Sequence, residues 1–486
     1  MHLEDIPLKH LSSHYPPLFF DYIQQKNSLH HLVPNSFPIP ENIKKISQQR
    51  SEQITSQQRE ELYLGLKRQY QGFSLSPSVQ ENLDSLRDSQ TLSLCTGQQL
   101  HPFLGPLYVL YKILSLLSLR KQVQQLLPEY RFVPIFWMAS EDHDVDEIRS
   151  WNLLGRHYVW PISTQGPTGD LSTQGLSELM DRFPEPCPEI FVQAYTTQED
   201  LASATRYLLT KLFEEDGLLV LDPREKRWKD SFFPFFQDDI EDQIVEKTTK
   251  KGGERLVERG YQTPILPMST NTFRMGKGYR KRIEKLSAQD SPEKLSPNVF
   301  LRTLYQEHIL PNIAYIGGPS EIAYWLQAQP LFEHYDKSLP ILFPRYIGGI
   351  LPKRWIPHPA HLLFQENSPS FFSVQPYEKD WTKLLSRLES DAKTDSAKSF
   401  FKRETRKMEK QWKTLLNGLQ KEQEKQGQHS LRIHRKARQK LFPKPLFLQE
   451  RYESSLGVYL NYPEAIPYLQ KHINPFSFSK FHLLGV

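Results

Sequence analysis

The chain has 486 residues, of which 38% are hydrophobic and 24% charged, a balance typical of a folded globular protein with about two or three domains. No apolar run reaches the ~20 residues that a membrane-spanning helix needs, and no signal peptide is evident, so we predict a cytoplasmic protein. Two cysteines exclude a disulfide framework or a zinc site made of thiolates alone, and a net charge of +5 does not by itself require a nucleic-acid partner.

Residues 1–90 predict a mostly helical N-terminal flank, and residues 91–375 predict an α/β core. Short apolar runs in this core end in glycine, polar or acidic residues, as the buried strands of a parallel sheet do. The helical periodicity between them predicts a doubly wound sheet, with inserted helical segments at about 151–300 and a hairpin at 273–279. The predicted strands are Thr91–Cys95, Phe132–Met138, Leu218–Leu221, Asn312–Ile316 and Ile341–Phe343.

The segment 376–440 changes character. A helix around 381–388 is predicted to pair with a longer one whose apolar residues alternate at spacings of 3 and 4, which is typical of a coiled-coil seam. Residues 402–440 carry a charge of +9, but solvated coiled-coil faces are often basic and aromatic residues for base stacking are lacking. We predict a coiled-coil arm at 376–440 and a tail at 441–486 that packs back on the core. The seam residues are Thr405, Met408, Trp412, Leu415 and Leu419.

The first candidate site is the loop between the first core strand and the helix that follows it. Gly97 and Gly105 flank this loop, and glycines there allow backbone N–H groups to approach a phosphate beside a helix N-terminus. Gln98 and Gln99 can donate hydrogen bonds without repelling an anion, whereas Lys112 lies two turns into the helix. A plain strand–helix turn explains the pattern about equally well, because the motif is neither a dinucleotide fingerprint nor a P-loop.

The second candidate site is the run Glu141-Asp142-His143-Asp144, directly after the second buried strand. Such a cluster can grip an ammonium group, hold sugar hydroxyls, bind Mg²⁺, or act as a general base through the imidazole. The alternative is an N-cap, with Asp142 or Asp144 capping and Glu147 in the first helical turn. We expect capping together with function, since one cap does not need four polar residues.

A third cluster, Gly317-Gly318, forms a second strand–glycine–helix junction and predicts the other wall of the same pocket. Ser320 as an ordinary N-cap is the alternative. Arg345 follows the last strand and can hold a phosphate or carboxylate at the sheet edge, and Asn298 and Arg302 lie at a helix start. Each of these three residues alone is more often part of a surface salt bridge.

Several segments, in this order, resemble the signature of the bacillithiol-biosynthesis family BshC, a cysteine ligase family. The resemblance runs over most of the chain. The matching segments are 96–99, 105–108 with Lys112, 136–144, 296–302, 315–325, 442–443 and 448–451.

This resemblance implies a Rossmann-like parallel sheet of the class I aminoacyl-tRNA synthetase and nucleotidyltransferase type, with helical insertions and a C-terminal α-helical coiled coil that pairs two subunits into a homodimer. It also implies a ligase that adds cysteine to the amine of glucosaminyl-malate in the last step of bacillithiol biosynthesis. ATP, with Mg²⁺, would activate the cysteine carboxylate, and cleavage to AMP or to ADP is compatible with the sequence.

For this reaction, His143 is the predicted catalytic base, because histidine changes its protonation near neutral pH. Asp142 or Asp144 would hold the cysteine ammonium or Mg²⁺, and backbone N–H groups at Gly97 and Gly317–Gly318 would stabilise phosphate oxygens. The residues predicted to bind substrate or nucleotide are Thr96, Gly97, Gln98, Gln99, Gly105, Tyr108, Lys112, Glu141, Asn298, Arg302, Gly317, Gly318, Glu321, Trp325 and Arg345.

Two alternative functions belong to other classes. The chain could be a non-catalytic nucleotide-binding partner of a thiol-biosynthesis enzyme, acting through its coiled coil, and would then bind nucleotide without turnover. It could also be an RNA-binding relative of the synthetases that uses the basic segment, in which case RNA affinity would depend steeply on salt.

Overall fold

The computed structural model describes residues 1–30, 32, 37–162, 166–287, 290–356, 360–364, 375–391, 394–443, 448–477 and 480–486. The strands of this part of the chain are β1 (His2–Pro7), β2 (Thr91–Gln98), β3 (Arg131–Met138), β4 (Ser150–Leu153), β5 (Arg156–Val159), β6 (Leu219–Leu221), β7 (Thr272–Gly276), β8 (Tyr279–Arg282), β9 (Leu295–Pro297), β10 (Asn312–Gly317), β11 (Ile341–Pro344), β12 (Gly348–Leu351) and β13 (Lys480–Gly485).

The α-helices of the same residues are α1 (Pro17–Ile23), α2 (Asn27–His30), α3 (Pro40–Gln53), α4 (Ser56–Gln69), α5 (Pro77–Ser85), α6 (Leu107–Leu126), α7 (Val145–Ile148), α8 (Leu176–Met180), α9 (Glu189–Thr197), α10 (Leu201–Leu212), α11 (Lys226–Glu241), α12 (Ile244–Val257), α13 (Val299–Ile309), α14 (Pro319–Gln327), α15 (Gln329–His334), α16 (Gln375–Asp391), α17 (Asp395–Leu441), α18 (Gln449–Tyr452), α19 (Leu456–Asn461) and α20 (Ala465–His472). None of them combines the length and the hydrophobicity that crossing a bilayer requires.

The central sheet has five parallel strands in the order β11-β10-β2-β3-β6. Each predicted core strand is present, so the α/β prediction is confirmed. Numbered by their appearance within the sheet, the strands read 3-2-1-4-5 from the β6 edge, which is the Rossmann order. The strands are apolar and buried throughout, as expected for a sheet that helices cover on both faces.

Helix α6 connects β2 to β3 and is the most deeply buried helix near the site. Apolar residues at helical spacing predict one buried face for it, namely Leu107, Leu110, Tyr111, Leu114 and Leu117. Side chains on every side of its first three turns are buried instead, including Lys112 and Ser115. The prediction of one buried face was therefore too narrow. A helix that is apolar all round lies inside the protein rather than on its surface.

The N-terminal flank is mostly helical, as predicted, but it begins with a strand. Strand β1 joins β13 and β12 in a small separate sheet, which brings the two ends of the chain together. Arg50 of α3 is buried and forms a 3.0 Å ion pair with Glu307, while its Nε donates to the Asn312 carbonyl at 3.0 Å. The flank thus anchors the start of β10.

The insertions contain two further small sheets. Strands β4 and β5 form an antiparallel hairpin between β3 and β6. The predicted hairpin at 273–279 is present as β7 and β8, and β9 pairs with the other edge of β7.

The chain divides into two compact units. The first contains Met1–Ile350 with Lys444–Leu484 and Val486, and the second contains Leu351–Pro443 with Gly485. In the second unit α16 and the 47-residue α17 contact each other, and the rings of Trp381 and Trp412 stack with centroids 4.8 Å apart. The side chains of Leu388 and Leu419 lie outside what the structure describes. The coiled coil itself stays a prediction.

Candidate functional site

A cleft opens at the carboxyl edge of the sheet, between β2 and β10. The chain leaves β2 toward β3 on one side and leaves β10 toward β11 on the other, and ligands bind at such a switch point in open α/β sheets. The cleft has a volume of about 650 Å³, within the usual range for small-molecule sites. Its lining residues are Gln98, Gln99, His101, Pro106, Tyr108, Lys112, Glu147, Ser150, Trp151, Asn152, His157, Gly318, Pro319, Ser320, Glu321, Arg345, Arg451, Tyr452 and Ser454.

Lys112 joins the two glycine junctions. Its buried Nζ donates to the Gly97 carbonyl at 2.9 Å and to Gln98 Oε1 at 2.8 Å, and it lies 2.5 Å from Glu321 Oε2. The sequence placed Lys112 two turns along α6 and thus far from the loop. Its long side chain instead reaches back along the helix, since helical side chains point toward the N-terminus. Burial lowers the pKa of Lys112, and Glu321 opposes that shift.

Glu321 is the second member of this pair. Burial alone would raise the pKa of its carboxyl group, but Lys112, the Tyr315 hydroxyl at 2.6 Å and the Gly318 N–H at 2.8 Å bring that pKa below its usual range. The Gly318 N–H is therefore already bonded within the protein. Gly97 lies inside β2, paired with Trp137 of β3. The Glu321 cap takes the Gly318 N–H that was predicted to bind a phosphate oxygen, and the phosphate contact of the Gly97 N–H stays a prediction.

Arg345 lies in the cleft wall, as the sequence predicted for the sheet edge. It is buried, and its guanidinium binds both oxygens of Glu450, at 2.9 and 2.7 Å, with the Tyr346 carbonyl as a third partner. Tyr108 lies 5.5 Å from the same guanidinium and accepts a long hydrogen bond, 3.4 Å, from Gln98. Arg345 thus holds the segment after α17 against the core and adds positive potential to the cleft.

The acidic run after β3 spreads its side chains in different directions. Glu141 pairs with the buried Lys229 at 2.5 Å. Asp142 accepts from Gln99 Nε2 at 2.6 Å and from the His143 N–H at 2.7 Å. Asp144 caps α7 through a 3.1 Å bond from the Glu147 N–H, which is the capping alternative. The side chains of these residues therefore diverge, as those of successive residues after a strand do, and the function predicted beside capping stays a prediction.

His143 has its Nδ1 beside Arg280 and lies outside the cleft lining. Arg280 of β8 lies with one guanidinium nitrogen 3.1 Å from His143 Nδ1. Because a guanidinium can only donate, Nδ1 accepts and its lone pair is engaged, so the imidazole carries its proton on Nε2. Neither His143 nor Asp142 nor Asp144 lines the cleft. Asp142 contacts the lining through Gln99.

A protein-held magnesium ion finds no fit among the described residues. No group of three or more histidine, cysteine, aspartate or glutamate side chains converges there as metal ligands. Glu141 is neutralised by Lys229, and Asp142 and Asp144 are bonded to backbone and amide groups. The prediction that Asp142 or Asp144 holds Mg²⁺ is not supported by these contacts.

Five predicted binding residues lie behind the cleft rather than in its wall. Thr96 Oγ1 donates to the Ile316 carbonyl at 2.8 Å and ties β2 to β10. Asn298 caps α13, Arg302 donates to the Tyr324 hydroxyl at 2.7 Å, and Trp325 is fully buried. Gly317, within β10, accepts from the Arg345 N–H. These contacts support the cleft wall, and the predicted binding roles of these five residues stay predictions.

The loop before α6 has an unusual backbone. Phe103, Leu104 and Gly105 have φ of 56°, 65° and 62°, so two non-glycine residues adopt the left-handed conformation in succession. Side chains there cost about 1–3 kcal/mol each unless the surroundings impose the conformation. At Gly105 a Cβ would approach His101 to 2.7 Å. The close approach to His101 explains why position 105 is a glycine, without any phosphate binding.

His101 was not selected from the sequence, yet it lines the cleft. Burial, with a smaller contribution from Lys112, lowers the pKa of its imidazole to about 4, so the ring is neutral at pH 7. Its Nε2 is buried and has no hydrogen-bond partner in the part of the chain that the structure describes, and the same holds for Gln99 Oε1 and Trp151 Nε1 in the same wall. Such unpartnered buried atoms are costly and suit a site that a ligand completes.

Glu147, Arg451 and the hairpin residue Asn152 also line the cleft without having been predicted. Arg451 is exposed at the mouth and forms no ion pair with any described residue. Arg451 belongs to the segment 448–451, which is part of the family resemblance but was not predicted to line the pocket. The hairpin β4–β5 carries no motif, so nothing in the sequence indicated that it closes this side.

Comparison with known proteins gives concordant matches. The family model described as "Bacillithiol biosynthesis BshC, N-terminal Rossmann-like domain" matches residues 1–289 and 285–346. A protein of Cytophaga hutchinsonii named "Putative cysteine ligase BshC" is 30% identical over 507 aligned positions, which cover 96% of each chain. Proteins with the same name from Flavobacterium johnsoniae and Christiangramia forsetii are 36% and 33% identical, each over 69% of this chain and 68% of theirs. The chain therefore belongs to the BshC family of bacillithiol biosynthesis.

Proposed function

We propose that the chain is a ligase that adds cysteine to the amine of glucosaminyl-malate, with ATP activating the cysteine carboxylate. The observation that carries the proposal is the cleft at the Rossmann switch point, whose walls combine cations, free carboxylate and unpartnered polar atoms. The names of the similar proteins and of the matching family supply the cysteine ligase reaction and the pathway.

The cleft suits anionic groups on one side. Lys112, Arg345 and Arg451 line it, against Glu147 and Glu321, and Lys112 and Arg345 are already paired within the protein. Arg451 is the cation with bonding capacity left, and it can hold a phosphate or a malate carboxylate bidentately. The N-terminus of α14 adds partial positive charge through Ser320.

ATP, when bound, supplies the leaving group that makes the cysteine carboxyl carbon electrophilic. Arg451 and the α14 N-terminus would hold its phosphates, and Mg²⁺ would enter with the nucleotide rather than on a protein site. His101, neutral and buried in the wall, would accept or donate a hydrogen bond to the bound substrate without adding charge.

The test is a reaction of the purified protein with ATP, cysteine and glucosaminyl-malate, followed by mass spectrometry for bacillithiol. We expect product from the wild type, and an Arg451→Gln variant with KM raised about 10- to 100-fold for an anionic substrate, since a hydrogen bond to a charged group contributes about 1.5–3 kcal/mol. Arg156→Gln, an exposed arginine of β5 outside the cleft, is the matched control.

Other results would point to the alternative functions. Nucleotide binding with no product under any condition would favour a non-catalytic partner of another enzyme. RNA binding that falls steeply between 50 and 200 mM salt, about as expected for several phosphate contacts, would favour the RNA-binding alternative.

We also propose that the second unit pairs two subunits into a homodimer. Leu384, Phe400, Met408 and Leu415 are 48%, 60%, 44% and 53% exposed, which is unusual for large apolar side chains on one helix pair. A second copy of the chain would cover them as a coiled-coil partner. Light scattering should give a dimer mass for the wild type and a monomer mass for Leu415→Lys. A monomeric wild type at micromolar concentration would refute the proposal.

A further inference from the structure

Glu147 occupies a distinctive place among the carboxylates near the cleft. It lies in the first turn of α7, lines the cleft and is accessible to solvent. Glu321, the other carboxylate of the lining, is bound to Lys112. In the described residues Glu147 has no ion pair, and its main side-chain partner is the amide of Gln99.

The surroundings of Glu147 favour its protonated form. Partial withdrawal from water raises the pKa of its carboxyl group, and the negative charges of Asp144 and Asp142 raise that pKa further. The hydrogen bond from Gln99 and the charge of Lys112 oppose the shift without reversing it. Tyr108, across the cleft, interacts with the same carboxylate, but its own pKa is raised, so it stays neutral.

Other candidates for proton transfer are less well placed. His143 engages Nδ1 with Arg280 and does not line the cleft. His101 lines the cleft, but a pKa of about 4 makes its imidazole a weak base. Glu147 alone among the lining residues combines a carboxylate that has no ion pair with access to solvent.

We propose that the Glu147 carboxylate receives the amine of the acceptor substrate and takes its proton. The inference rests on the proposed ligase function, which it deepens by assigning the acceptor side of the cleft. The substrate ammonium gives one proton to a Glu147 oxygen. The nitrogen lone pair then forms the C–N bond to the activated cysteine carboxyl carbon, and the bond from that carbon to its leaving group breaks, with both electrons going to the leaving group.

Water takes up the remaining protons. The nitrogen loses its second excess proton to water as the amide forms, and Glu147 returns its own proton to water, to which it is exposed. No oxidant, reductant or metal is required for these steps. Gln99 acts as a positioning residue, because its amide binds both Asp142 and Glu147.

The test compares the wild type with Glu147→Gln and Glu147→Asp from pH 5 to 9. Amide formation and cysteine-dependent ATP consumption are measured separately. We expect Glu147→Gln to lower kcat/KM for the amine substrate about 10²- to 10⁴-fold, the usual range for a general base, and to lose the acid limb of the wild-type pH profile. In a single turnover without the amine substrate, cysteine-dependent ATP cleavage should stay within about threefold of the wild type, and Glu147→Asp should recover part of the amide-forming rate.

Asp146→Asn is the matched control, since Asp146 lies on the same turn, 83% exposed, and pairs with Arg149 outside the cleft. It should leave both readouts unchanged. Amide formation by Glu147→Gln within threefold of the wild type, with the acid limb intact, would overturn the inference.

Failure of the proposed function is distinguishable from failure of this inference. If the wild type forms no amide, the ligase proposal is refuted, and calorimetric titration with glucosaminyl-malate then decides on Glu147. If the wild type binds glucosaminyl-malate and Glu147→Gln weakens that binding at least tenfold at pH 7, the contact between Glu147 and the substrate amine is supported. Equal binding by both, or none by the wild type, would overturn it.

Discussion

Replacing Lys112 by methionine tests whether the two glycine junctions form one electrostatic unit. Methionine keeps most of the buried volume of the side chain and removes its charge and its donors. The change leaves the Glu321 carboxylate without a cation and leaves the Gly97 carbonyl and Gln98 Oε1 without their shared donor. Lys112 is 1% exposed, so water does not readily replace the lost partner.

Breaking a buried ion pair on one side costs about 3–5 kcal/mol, because it strands the other charge. We expect a loss of this size in the free energy of unfolding of the Lys112→Met variant. The double variant Lys112→Met/Glu321→Gln should lose only about 1–2 kcal/mol, since glutamine keeps an acceptor for the Tyr315 hydroxyl and the Gly318 N–H. The double variant should therefore be about 2–3 kcal/mol more stable than the single Lys112→Met variant.

The pH dependence gives the prediction a second readout. In the wild type the pKa of Glu321 lies below 4.5, so this residue contributes stability above pH 4.5 that is lost as the pH falls through its folded-state pKa. Without Lys112, burial raises the pKa of Glu321. At low pH its carboxylate is then protonated, which removes the cost of the unpaired buried charge. Urea unfolding should therefore show a smaller difference from the wild type at pH 4 than at pH 7. A pH-independent difference, or a double variant no more stable than the single one, would refute the reasoning.

Three further changes test neighbouring features. Glu147→Gln should raise the thermal midpoint at pH 7 and not below pH 4.5, because a raised carboxyl pKa reduces stability as the pH rises; an unchanged midpoint would contradict this. Asp144→Ala should cost about 1 kcal/mol through loss of the α7 cap, against about 0.5 kcal/mol or less for Asp146→Ala, by urea unfolding. Trp412→Ala should remove a ring contact with Trp381 that contributes about 0.5–1.5 kcal/mol beyond buried area, seen as earlier melting of helical circular dichroism.

The parallel sheet could be predicted because its signals are local. Each core strand is a short apolar run that stops at a polar or glycine residue, and strands buried on both faces leave that pattern in any α/β protein. The sequence also predicted that the two glycine junctions would meet, because the carboxyl ends of parallel strands lie at one edge of the sheet. Gln98, Lys112, Gly318, Glu321 and Arg345 do come together there.

The chemistry of individual residues could not be predicted in the same way, because it depends on partners distant in the chain. Lys112 meets Glu321 only once β10 pairs with β2, and Arg345 meets Glu450 only once the chain returns from the second unit's residues. The run 141–144 looked like one site because its carboxylates are adjacent in sequence. Lys229 and Arg280, both from the segment between β6 and β10, instead engage Glu141 and His143.

The left-handed loop before α6 shows how an insertion shapes the cleft. The Phe103 N–H donates to the Tyr195 hydroxyl at 2.6 Å, and its ring lies 4.7–5.1 Å from three aromatic rings. All three rings belong to the insertion between β3 and β6, namely Trp151, Phe183 and Tyr195. Because these contacts impose a backbone that Phe103 and Leu104 would otherwise avoid, the insertion fixes where His101 enters the cleft wall. The aromatic residues of the insertion therefore determine where the neutral imidazole of His101 lies beside Lys112. No local pattern in residues 96–106 indicates this position.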